Sequence, residues 1–70
     1  MLDDYLDQPA SVKLLTGEEL PEGVKFWGTS PLSTDMLWFG SNREGQPLEV
    51  EQEFHIPASS IAVMRLRRRT

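Results

Sequence analysis

The chain has no cysteine among its 70 residues. Disulfide staples and thiolate metal centres are therefore excluded. Nor is there a run approaching the ~18 apolar residues that a membrane-crossing helix needs, so no span is expected. The start, Met1-Leu2-Asp3-Asp4, has neither the basic residues nor the apolar stretch of a secretory signal, and the expected compartment is the cytoplasm. Histidine occurs once, at His55. A nucleophile and its base must lie within hydrogen-bond reach. The serines nearest to His55, Ser59 and Ser60, stand in a stretch where serines normally bend the backbone. No catalytic residue, metal-ligand set or cofactor is assigned, and no enzymatic activity is expected.

Size and charge narrow what remains. Seventy residues make one domain, near the lower limit at which a single core is sufficient. With no staple available, self-association is the usual remaining way to stabilise so small a scaffold, and a homo-oligomer is expected. The net charge is −4, unevenly placed: all 11 acids precede Arg65, while four of the seven basic residues are Arg65, Arg67, Arg68 and Arg69. An acidic body argues against broad capture of duplex nucleic acid, which needs many cationic contacts to phosphate. A local site at the cationic end stays open.

Along the chain, Leu2, Tyr5 and Leu6 recur at helical spacing with Asp3, Asp4 and Asp7 opposite, which predicts a short helix over 1–8 that Pro9 ends. Five strand-like stretches follow over 11–66. The first covers 11–16 and turns at Thr16-Gly17-Glu18. The second, 18–29, is interrupted by Pro21-Glu22-Gly23, where a bulge or bend is expected. A loop over 30–35 leads to a mostly apolar third strand, 36–40, and a polar turn over 42–47. The fourth strand, 48–56, alternates most clearly: Leu48, Val50, Phe54 and Ile56 on one face, Glu49, Glu51, Glu53 and His55 on the other. Pro57-Ala58-Ser59-Ser60 is a single turn before the last strand, 61–66, and a basic tail, 67–70.

This order resembles the Sm-like family, which includes the LSm and Hfq proteins. The matching pieces are Tyr5-Leu6-Asp7, Val12-Lys13-Leu14-Leu15-Thr16-Gly17 and Ile56-Pro57-Ala58-Ser59-Ser60-Ile61. The resemblance implies an all-β fold with a short N-terminal helix: a small, five-stranded, strongly bent Sm-like (SH3-like) barrel. It further implies a homo-oligomeric ring closed by pairing the fourth strand with a neighbour's fifth, with single-stranded RNA bound near the pore. On that reading Thr34, Asp35, Ser59, Arg67, Arg68 and Arg69 contact RNA. Glu49, Glu51, Glu53, Met64, Arg65 and Leu66 form the oligomer interface. The chain departs from the family at the 30–35 loop, which is longer and lacks asparagine. It departs again at Ile56-Pro57-Ala58, where relatives carry an arginine-glycine or lysine-histidine pair.

Each candidate feature also has a plainer reading. Alternate residues of a strand lie about 6.5–7 Å apart, so the glutamate row with His55 is a solvated face rather than a cation site. Trp27, Trp38 and Phe39 suit a core or subunit interface, or else stack on single-stranded bases. The arginines suit phosphate, a solubilising tail, or partners for Glu49, Glu51 and Glu53 across the seam between copies. The expected function is an oligomeric RNA-binding ring; the alternative is a protein-interaction scaffold whose acidic surface docks a basic protein. No membrane association is expected.

Overall fold

A computed structural model describes residues 2–69 of the chain. The protein is almost entirely β: five strands form one antiparallel sheet in the order β4-β3-β2-β1-β5. These are β1 (Gln8–Leu14), β2 (Lys25–Thr29), β3 (Met36–Arg43), β4 (Gln46–Pro57) and β5 (Ile61–Leu66). The sheet is not closed, because β4 and β5 each have a strand on one side only among the described residues. None of the described helical turns is long and apolar enough to cross a membrane.

The helix expected over 1–8 is a single 3-10 turn, Leu2–Tyr5. The reason lies just after it. Asp7 takes a left-handed backbone conformation (φ 57°), one of the few non-glycine types that tolerate it. Its N–H then donates to the Phe26 carbonyl at 2.7 Å, so the chain has entered the sheet before Gln8. Pro9 therefore lies inside β1, opposite Lys25. Met1 and Thr70, assigned above to the helix and the tail, lie outside the described residues.

Strand β1 changes partner along its length. Gln8 and Pro9 pair with β2, whereas Ala10 to Leu14 pair with β5. The strands enclose a small core of Val12, Phe26, Phe39 and Ile56, with Tyr5, Leu6, Leu14, Leu20, Phe54, Met64 and Leu66 packed against it. The Phe26 and Phe39 rings meet at 5.5 Å, tilted by 51°, an arrangement aromatic pairs favour. Apolar alternation supplies this face: Phe26 is opposite Phe39, and Phe39 is opposite Phe54. β3 and β4 join through Glu44-Gly45, with Gly45 at φ 76°, a conformation glycine adopts at no steric cost.

The long second strand expected over 18–29 is a loop followed by the short β2. Residues 18–20 contribute only an isolated bridge, Lys13 to Glu19. Pro21-Glu22-Gly23 does form a turn, with Gly23 at φ 88°, while the register break falls at Trp27, between Phe26 and Gly28. A second break, between Ser41/Asn42 and Gln52/Val50, leaves Glu51 unpaired. An extra residue in one strand reverses which face its neighbours occupy. Val50 accordingly lies opposite Asn42 and shares a face with Glu53 and His55 rather than with Phe54 and Ile56. The continuous apolar face expected for β4 ends at this bulge.

Gly40 marks the closest approach in the sheet. A Cβ there would meet the Trp27 ring and stand 2.5 Å from the Gln52 carbonyl oxygen. Gly40→Ala is expected to destabilise the protein by about 1–3 kcal/mol, the usual range for overpacking. Urea denaturation checks this; an unchanged midpoint would show that Trp27 does not lie over Gly40.

Candidate functional site

The face of β2, β3 and β4 turned away from the core carries an ordered polar and aromatic cluster. Trp38 on β3 lies opposite His55 on β4, and their rings stack at 5.8 Å with 16° between planes. Trp27, carried over Gly40 by the bulge in β2, meets Trp38 edge-on at 5.3 Å and 78°. The two tryptophans are thus engaged with each other and with His55. Phe39, grouped with them as a stacking candidate, fills the core instead.

His55 joins this cluster to the β2–β3 loop. Its Nδ1 lies 2.7 Å from Ser30 Oγ, and Ser30 Oγ accepts the Leu32 N–H at 2.9 Å. Its Nε2 lies 2.9 Å from Glu53 Oε1, which also accepts the Trp38 indole N–H at 2.8 Å. A carboxylate only accepts, so Nε2 directs a proton at Glu53; in the neutral tautomer this leaves Nδ1 to accept the Ser30 hydroxyl. Every donor in this chain of groups then has an acceptor. Ser30 is only 5% exposed, with its oxygen already bonded to Leu32. The Ser30–His55–Glu53 order ties the loop to β4. Residues 25 apart cannot be paired from periodicity; the one local hint was Ser30-Pro31-Leu32, where a serine can bond the N–H two residues on.

The braced loop lies against the β4–β5 link. Ala58 donates its N–H to the Asp35 carbonyl at 3.0 Å, and the link is a 3-10 turn, Ala58–Ser60. Between them is a depression of ≈ 460 Å³ lined by Thr34, Asp35, Leu37, Pro57, Ala58 and Ser59. Three of the expected RNA contacts, Thr34, Asp35 and Ser59, thus share one concave surface. Leu32, 72% exposed, belongs to the same loop.

The other three are elsewhere and are bonded within the chain. Arg67 N–H donates to the Pro9 carbonyl at 3.1 Å and Arg69 N–H to the Asp4 carbonyl at 2.6 Å. Arg68 pairs with Asp4 at 3.3 Å, and the Arg69 guanidinium donates to the Leu6 carbonyl at 2.8 Å. The tail runs beside β1 and fastens the N-terminal turn.

All six expected interface residues belong to β4 and β5. The glutamate row is divided by the bulge: Glu49 pairs with Arg43 at 3.5 Å, Glu51 is exposed, and Glu53 serves the histidine brace. Met64 and Leu66 pack on the core, while Arg65 is exposed opposite Ser11. Among the described residues no three His, Asp or Glu side chains converge on a point that would hold a metal ion.

No family model, no curated protein and no solved structure matches this chain.

Removing the Ser30 hydroxyl takes a donor from His55 and an acceptor from the Leu32 amide, both part-buried. Ser30→Ala is expected to cost about 1–3 kcal/mol and to shift tryptophan fluorescence through the Trp38–His55 stack. Thermal melting with fluorescence detection tests this; unaltered stability and emission would remove the brace from the account.

Proposed function

We propose that this chain is a homo-oligomeric Sm-like barrel that assembles into a ring and binds single-stranded RNA. The observation that carries the reading is the strand order, in which β4 and β5 are the two edges. These are the strands that the resemblance pairs between copies. An unpaired edge presents a row of free backbone donors and acceptors, which invites another strand. Exposed apolar groups accompany both: Leu48 at 99% and Val50 at 49% on β4, Val63 at 48% on β5. Opposite charges also favour the match, with Glu49 and Glu51 on β4 and Arg65 on β5. Such pairs are worth about 0.2–1 kcal/mol each and would act mainly on register.

The barrel part of the reading is supported by a single core to which all five strands contribute, with Val12, Phe26, Phe39 and Ile56 buried together and Met64 and Leu66 of β5 packed on them. The depression containing Thr34, Asp35 and Ser59 supports the RNA part, since it joins the two connections that the resemblance implicates. A second reading, a scaffold that docks a basic protein, is favoured by the net charge of −4 and by the arginines already paired with the N-terminal turn.

Size-exclusion chromatography with light scattering, with and without oligouridine or oligoadenine, separates these readings. The ring reading expects a mass several times the 8.0 kDa of one chain and co-elution of one oligonucleotide at low salt, with binding lost steeply as salt rises. A monomer at all concentrations would overturn assembly. A multimer that carries neither oligonucleotide would favour the scaffold.

A further inference from the structure

Two of the four C-terminal arginines, Arg68 and Arg69, are already held by the N-terminal segment of the chain. Arg68 Nη2 lies 3.3 Å from Asp4 Oδ2, and Arg69 holds Asp4 and Leu6 through its backbone N–H and its guanidinium. A guanidinium offers a planar fork of donors that suits phosphate as well as carboxylate. The Arg68 Nη2 donor directed at Asp4 is not free for a phosphate oxygen. The ion pair is nonetheless exposed, with Arg68 at 71% and Asp4 at 45%, and pairs of that kind are weak and exchangeable. Asp3 belongs to the same turn and adds negative charge beside Asp4, while Asp7 just beyond it faces Lys25 at 3.8 Å.

We propose that the N-terminal turn is an internal competitor: Asp4 masks the C-terminal arginines, and a phosphate chain must displace it to reach them. This rests on the RNA reading above and adds a regulatory contact to it. The competition is reciprocal, because a ligand that prefers the released arginines must weaken the clasp by the same factor that the clasp weakens the ligand. The turn can yield without dismantling the core. Tyr5 and Leu6 are only partly buried, and the Asp7 N–H bond to Phe26 lies beyond the clasp.

Asp4→Asn keeps the shape of the side chain and removes its charge. Fluorescence anisotropy with labelled oligouridine at low salt is expected to show binding about two- to five-fold tighter for the variant than for the unaltered chain, the range for losing one exposed pair. Equal or weaker binding by the variant would overturn the competitor alone. Failure of both proteins to bind would overturn the RNA reading, and the competitor with it. A second readout uses the unaltered chain: saturating oligouridine should accelerate hydrogen exchange at the Arg69 amide, which donates to the Asp4 carbonyl. Unchanged exchange at that amide in the complex would also overturn the proposal.

Discussion

The structure depends on where five short strands find partners when only one small core is available. Val12, Phe26, Phe39 and Ile56 are buried together, and the strand order places β1 between β2 and β5. This order occupies both sides of β1. It leaves the outer sides of β4 and β5 without a strand among the described residues. Burial of apolar area grows with chain length, so a chain of this size has little surplus with which to cover its own edges. The assembly and RNA readings proposed above start from these two open edges.

The opposite face is shaped by the register breaks at Trp27 and Glu51, with a further one between Val50 and Gln46. At Trp27 the break carries an indole over Gly40, and at Glu51 it re-aims the outer half of β4. Between them, Trp38, His55, Glu53 and Ser30 form a fully partnered set of hydrogen bonds that fastens the β2–β3 loop. The loop is then held against the β4–β5 link through Ala58 and Asp35. A concave surface built from two connections is thus fixed by a side-chain brace on the far side of the sheet. Bulges commonly have this effect of redirecting side chains near functional surfaces.

Much of the strand content was legible from local pattern. β5 was read to the residue at Ile61–Leu66, and the turn after Pro57 was read as the short link it is. Apolar alternation also identified Phe54 and Ile56 as inward-facing. Errors arose where tertiary bonding overrode a local rule. Pro9 ends a helix by sterics, yet its carbonyl still accepts from Arg67 within a strand. The acidic turn was too short to hold a helix once Asp7 bonded Phe26. Neither bulge carries a glycine or proline at its extra residue, so Trp27 and Glu51 gave no local signal. The Ser30–His55 contact spans 25 residues. The clasp joins the two ends of the chain, and only the complementary charges of Asp4 and Arg68 hinted at it.

The central claim is that the open sides of β4 and β5 are covered by other copies of the chain. Amide hydrogen exchange on those two strands, followed as a function of protein concentration, tests it most directly. The account predicts that outward-facing amides of β4 and β5 are protected at high concentration and lose that protection on dilution, before the amides shared with β3 and β1 do. Fast exchange at the outward-facing amides at every concentration, with the inward-facing ones still protected, would contradict it.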